Sequence, residues 1–366
     1  MGKHKLCHTW CLFKHQTKSC IYKPLPAFSS GTHKEKNMSL RFKPLSLNQD
    51  LTLKNRLVLP PMASGTCDSE GLVTQKTIEH YENLAQSGAG LMFVEYSFVN
   101  YHGRTEPNQM GAHSDLCIPG LSEVAKTLKK SGAVVGLQIT HGGGKGSTKL
   151  PNGRLEGPSA VSVPSYNRVL ETMEQMTAPE IEAMIQDFAN AAQRAQKAGF
   201  DLVELHCAHG YGLNQWLSPV TNKRYDEYGG NLEKNSRVLF NVIEAIKERC
   251  PGFPIAIRMP AQDYLEGGLT SDDMQLIAQR LEKAGLCLVD ISSGLGGWNL
   301  FKEHRSEGYL VAGATEIKKA VSIPVIGVGG IKSVEYFEEA LAEERADLLA
   351  VGRGILEDAK GWKRKF

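Results

Sequence analysis

Three observations predict a single-domain closed (β/α)8 barrel of the TIM-barrel class. A phrase of amphipathic helix, glycine or small residue, and buried apolar strand recurs along the chain: YENLAQSGAGLMFVEYS, VAKTLKKSGAVVGLQIT, AAQRAQKAGFDLVELH and RLEKAGLCLVDIS. Strands alternating with helices imply parallel pairing and right-handed crossovers. Eight strands fall near residues 56–62, 90–96, 134–140, 201–206, 254–259, 286–292, 323–328 and 346–352. None is followed by the GxGxxG helix start that an open dinucleotide-binding sheet requires.

Residues 1–37 precede this pattern and hold seven lysines against one acid, Glu35; their charge of +6 leaves −4 for the rest of a chain whose total is +2. They read as a basic disordered extension. Without an apolar h-region they do not resemble a secretory signal, and without arginine they do not resemble a transit peptide. Cys7, Cys11 and Cys20 lie there beside His4, His8 and His15, a zinc alternative whose spacing fits no standard finger. Met38, opening MSLRFKPL, reads as an alternative start.

Residues 38–366 form the expected barrel domain. LTLKNRLVLPPMAS gives a short strand, a turn at Lys54–Asn55 and the first barrel strand, Leu57 to Met62. PIAIRMP supplies the fifth strand after a helix ending near Cys250, and KKAVSIPVIGVGG and ALAEERADLLAVGR carry the seventh and eighth. The last helix is expected to be short. Cys67, Cys117, Cys207, Cys250 and Cys287 are scattered without paired spacing, so no disulfide framework is expected. The mildly acidic body argues against a nucleic-acid partner. The apolar runs are too short for a membrane span, and a cytoplasmic protein is expected.

A barrel places its chemistry at the C-terminal ends of the strands. Those ends read Ala63–Ser64, Gln138, His206, Arg258, Ser292–Ser293–Gly294, Gly329–Gly330 and Gly352–Arg353. The two longest loops, 141–178 and 207–230, follow strands and therefore cover the same face. Just past the fourth strand stand His206, His209 and Tyr211, two imidazoles and a phenol suited to holding a carbonyl oxygen and supplying a proton beside it. Metal binding, with Cys207 nearby, and simple capping chemistry remain alternatives.

GVGGIKS and VGRG resemble a phosphate cradle on strands seven and eight, with backbone amides approaching an anion and Arg353 adding a bidentate charge; ordinary turn glycines are the alternative. Arg258, inward among apolar neighbours, needs an anion or a structural salt bridge to Asp290 or Glu204. Gln138 offers the donor and acceptor that a heterocyclic imide requires, or is a core amide satisfied by backbone. No strand-end lysine is present for aldolase or lyase chemistry.

The run HCAHGYGLNQWLSPVTNKRYDEYGG, with NRLVLPPM, GLQITHGG, GPSAV, GVGGI and VGRG in barrel order, resembles the old yellow enzyme family of FMN-dependent NADH:flavin oxidoreductases and ene reductases over about residues 40–360. The resemblance implies FMN across the barrel mouth, with its phosphate on Gly329, Gly330, Gly352 and Arg353. It implies Arg258 and Gln138 on the pyrimidine edge, and Pro61, Met62 and Ala63 beside the N5 side. It further implies NADH or NADPH as reductant and an enone or enal substrate held by His206 and His209 and protonated by Tyr211; a homo-oligomer is left open.

Ala63, Gly65, Tyr96 and the HGGG run at 141–144 depart from common family residues. A stand-alone dienoyl-CoA-reductase-like enzyme, an NADH oxidase and a redox-inactive flavin- or phosphate-binding barrel are the alternatives. The iron–sulfur cysteine cluster of the dienoyl-CoA reductases has no counterpart in residues 1–366.

Overall fold

The computed structural model describes residues 39–165, 170–297 and 305–366. The extension 1–37 and its Cys7/Cys11/Cys20 zinc alternative lie outside the described residues. Eight parallel strands close on themselves in sequence order: β1 (Leu57–Leu59), β2 (Leu91–Phe98), β3 (Val134–Thr140), β4 (Leu202–His206), β5 (Ile255–Pro260), β6 (Leu288–Ser292), β7 (Val325–Val328) and β8 (Leu348–Ala350). Pairing of Leu349 with Leu57 and of Ala350 with Val58 shuts the barrel. A helix follows each strand: α1 (Gln75–Ala85), α2 (Ile118–Lys129), α3 (Ala178–Lys197), α4 (Arg237–Arg249), α5 (Ser271–Lys283), α6 (Val311–Ala320), α7 (Val334–Ala342) and α8 (Ala359–Lys365). Among the described residues no helix is long and apolar enough to cross a membrane.

The first strand ends at Leu59, not at Met62 as the apolar pattern suggests. Pro60 and Pro61 have no N–H to give to a ladder, so the segment leaves the sheet and runs over the barrel mouth. Before it, Leu45–Ser46 pairs antiparallel with Thr52–Leu53. Leu47 and Leu53 of that hairpin join Val58, Leu91, Phe93, Leu202, Ala256, Leu288, Ile326 and Leu348 in one apolar cluster, which fills the barrel interior at the N-terminal end of the strands.

Period-2 alternation sorts the remaining strand residues. Leu57, Leu59, Met92, Val94, Val203, Leu205, Ile257 and Ile291 pack outward against the helices. Gly136 leaves the room that Phe93 occupies, since a Cβ there would stand 2.5 Å from the Phe93 ring. Helix α3 shows how the outer layer is read from sequence. Thr177 and Glu180 form a reciprocal cap at its start, and Ile181, Met184, Ile185 and Phe188 bury one face at helical spacing. Towards the C-terminal end the interior changes from aliphatic to polar, with Gln138, Glu204, Arg258 and Asp290 all buried.

Candidate active site

A cavity of about 860 Å³ opens at the C-terminal end of the strands. The twelve residues given binding or catalytic roles from sequence line it: Pro61, Met62, Ala63, Gln138, His206, His209, Tyr211, Arg258, Gly329, Gly330, Gly352 and Arg353; of the other strand-end residues Ser292 joins them, while Ser64, Ser293 and Gly294 do not. Each wall has a traceable origin.

The wall from β4 carries the two imidazoles and the phenol. His206 is the last residue of the strand, paired in register with Arg258. His209 (φ 59°) and Gly210 (φ 70°) then take left-handed backbone in succession, which turns the chain so that the three rings converge. The centroid of Tyr211 lies 4.8 Å from that of His206 and 6.5 Å from that of His209, and the two imidazoles are 5.0 Å apart. His209 Nε2 pairs with Ser292 Oγ at 2.6 Å, while His206 Nδ1 is buried with no hydrogen-bond partner among the described residues. Burial first, then the charges of Arg258 and Lys145, hold the His206 pKa well below the usual histidine value. His209 is lowered in the same way, with His206 adding to the effect. Both rings are therefore neutral at physiological pH.

The floor is a buried ionic layer. Gln138 Nε2 donates to Glu204 Oε2 at 2.7 Å, so the glutamine is satisfied by a side chain and not by backbone. Arg258 Nε lies 3.0 Å from Asp290 Oδ2, without the alignment of a directed hydrogen bond. The salt bridge expected as one reading of Arg258 is thus present, and the same residue faces the cavity. Burial raises the pKa of Glu204, with Asp290 reinforcing it; Asp290 is raised by burial against the opposing charge of Arg258. Asp290 is paired with the guanidinium and Glu204 lies within reach of its charge, so the layer is neutral when one acid keeps its proton.

The wall from β7 and β8 carries the glycines. Gly329 (φ 135°) would place a Cβ 2.8 Å from the Leu310 backbone nitrogen, which only glycine avoids. A Cβ on Gly352 would meet Met62 Sδ at 2.9 Å, and Arg353 follows directly at the start of a short helix, Arg353–Glu357. The fourth side is the Pro60–Ala63 segment, pinned at its end by Glu95. Ser64 donates to that buried carboxylate from its backbone N–H at 2.9 Å and its hydroxyl at 2.5 Å, and Tyr81 adds its phenol at 3.2 Å.

The second half of the long β4 loop motif is scaffold. Asn222 donates to the carbonyls of Trp216 and Tyr228, both at 2.8 Å, and Arg224 donates to those of Pro158 and Met176 at 3.1 and 2.8 Å. Ser218 reaches the buried Asp263 at 2.6 Å. Gln215 clasps the HGGG run, accepting from Gly144 N at 3.0 Å and donating to Gly142 O at 3.1 Å. A side chain at Gly144 would strike Met173, and Lys145, one residue later, bonds the carbonyls of His209 and Leu295 instead.

Glu106 and Tyr309, which no sequence motif marks, and Lys332, inside GVGGIKS, also line the cavity. Glu106 accepts a hydrogen bond from the Tyr96 phenol, whose ring stands 5.6 Å from that of Tyr211. Nothing in the spacing of Glu106 distinguishes it from a solvated loop acid. Among the described residues no group of three His, Cys, Asp or Glu could hold a metal ion, which leaves the metal reading of His206 and His209 without support.

The family model for NADH:flavin oxidoreductase / NADH oxidase matches residues 41–365. An NADPH dehydrogenase of Geobacillus sp. (strain WCH70) is 37% identical over 87% of this chain and 91% of its own length. An NADH oxidase of Thermoanaerobacter brockii is 38% identical over 86% of this chain, which spans 49% of that protein. Among solved structures, a 2-naphthoyl-CoA reductase in complex with 2-naphthoyl-CoA superposes with a TM-score of 0.82 at 27% identity, covering 89% of this chain and 52% of the other. The chain thus spans about half the length of some of the relatives it matches. It belongs to the NADH:flavin oxidoreductase / NADH oxidase family, the FMN-dependent NAD(P)H oxidoreductases of old yellow enzyme type.

Proposed function

We propose that this chain is a cytoplasmic ene reductase: it uses NAD(P)H to reduce the C=C bond of small α,β-unsaturated carbonyl compounds. The observation that carries this reading is the convergence of His206, His209 and Tyr211, with centroids 4.8–6.5 Å apart, on the cavity that Arg258 floors.

The residues present fit FMN. The cavity volume of about 860 Å³ lies within the range of cofactor sites. Gly329, Gly330, Gly352 and Arg353 would hold the phosphate, and Gln138 and Arg258 the pyrimidine edge of the flavin. Pro61, Met62 and Ala63 would lie beside its reactive side. Bound there, FMN supplies hydride drawn from NAD(P)H.

The chain's own residues do the rest. Neutral His206 and His209 each offer one N–H to the substrate carbonyl oxygen, drawing electron density from the alkene so that its β-carbon accepts hydride. Tyr211 delivers a proton to the α-carbon; a phenol keeps its proton at neutral pH because its ordinary pKa is about 10. Arg258 would hold positive charge against the pyrimidine edge of the bound cofactor.

Reduction of 2-cyclohexenone with NADPH carrying deuterium at both C4 positions tests the assignment. The expected cyclohexanone carries one deuterium at C3 and a solvent hydrogen at C2. Product without deuterium at C3 would sink the hydride route.

A further inference from the structure

We propose that Glu106, held in the cavity wall by Tyr96, makes the substrate end of this site selective for α,β-unsaturated carbonyl compounds that carry a cationic group over those that carry a carboxylate. The proposal rests on the ene-reductase reading and adds the charge class of the substrate.

Tyr96 stands between the carbonyl-binding rings and the acid. Its ring is 5.6 Å from Tyr211 and 6.3 Å from His206, and its hydroxyl donates to Glu106 Oε1 with Thr105 Oγ1 alongside at 3.2 Å. The Glu106 carboxylate therefore sits one phenol's length from the carbonyl-binding rings and faces the same cavity.

No salt bridge neutralises Glu106 among the described residues. Its neighbour Arg104 is engaged elsewhere, donating to the Glu106 backbone carbonyl at 3.3 Å and to Ser69 O at 2.7 Å, with its guanidinium over the Phe98 ring. The cations that line the cavity lie elsewhere. Arg258 is paired with Asp290 in the floor, Arg353 and Lys332 flank the β7 and β8 glycines, and Arg305 stacks over Tyr309. Lys145, 5.8 Å from the Tyr211 ring centroid, spends its ammonium on the carbonyls of His209 and Leu295 and does not line the cavity. The cavity is thus polarised, with Arg305, Lys332 and Arg353 outnumbering the acid Glu357 beside β6–β8, and Glu106 beside β2 with no cation next to it in the lining. A ligand charge ~8 Å from the carboxylate, at an effective dielectric of about 20–40, changes its affinity about tenfold, upward for a cation and downward for an anion.

The test uses the FMN-loaded protein and two phenols of similar size, tyramine and 3-(4-hydroxyphenyl)propionate, with binding read from the flavin absorbance. The wild-type protein is expected to bind tyramine at least about tenfold more tightly, and Glu106→Gln to bring the ratio of the two constants towards one. kcat/KM for 4-(trimethylammonio)cinnamaldehyde against 4-carboxycinnamaldehyde should follow the same pattern. Equal affinities in the wild type, or a tyramine preference that survives Glu106→Gln, would overturn the proposal. Should the glutamine variant not fold, Glu106→Ala takes its place, with the same ratio near one expected. If 2-cyclohexenone is not reduced at all, the ene-reductase reading fails, and the phenol ratio alone decides the role of Glu106.

Discussion

The Tyr211 ring lies 4.8 Å from the His206 imidazole and is tilted 54° to it. The proposed proton donor thus stands beside the proposed carbonyl holder, on the same side of the cavity. Tyr211→Phe removes only the proton. It is expected to slow reoxidation by an enone at least about a hundredfold, while reduction by NADPH stays within about twofold. Rapid-mixing measurement of the two half-reactions separates them, and equal losses in both would contradict the role.

Arg258 lies between buried acids, with Asp290 Oδ2 at 3.0 Å from its Nε and Glu204 contributing to the same layer. Arg258→Met leaves those carboxylates without a counter-charge and is expected to destabilise the protein by about 3–5 kcal/mol. Adding Asp290→Asn should restore most of that loss. Urea unfolding of the single and double variants checks the coupling, and simple additivity would show that the layer does not act as a unit.

The two glycine positions should differ in severity. At Gly329, where φ is 135°, a Cβ meets backbone, Leu310 N at 2.8 Å; at Gly352 it meets the movable Met62 Sδ at 2.9 Å. Gly329→Ala is therefore expected to weaken FMN binding by tenfold or more, about 1.4 kcal/mol, and Gly352→Ala by distinctly less. Quenching of flavin fluorescence gives both constants. The reverse ranking would count against the phosphate assignment.

The lowered pKa values of His206 and His209 make stability depend on pH in a defined direction. Below the unfolded histidine value of about 6.5 the unfolded chain takes up protons that the folded chain refuses, so stability falls as pH falls; above it the contribution is constant. His206→Asn should flatten the fall in melting temperature between pH 6.5 and 5. Identical profiles for variant and wild type would contradict the neutral assignment.

The barrel was legible because its strands are apolar and its helices amphipathic, so the alternation of periods appears in one sequence. The polar strand ends followed from the barrel itself, which places the twelve residues given binding or catalytic roles around one cavity. Glu204 and Asp290 carried a signal, since each is an acid at an inward strand position. The layer they form with Arg258 needed the register that pairs Arg258 with Asp290. At the end of β1 hydrophobicity outlasts the ladder, because Pro60 and Pro61 intervene, so the apolar pattern runs past the strand. Glu106 was invisible, because its partner Tyr96 lies on a strand and the intervening loop must fold back before the two meet.

An anaerobic absorbance titration of the purified protein with NADPH, followed by 2-cyclohexenone, tests the central claim most directly. The expected result is a flavin spectrum that bleaches with NADPH and returns when the enone is added in the absence of oxygen. A flavin that bleaches but returns only on admission of oxygen would contradict ene reduction. A protein that neither contains nor takes up FMN would contradict the site itself.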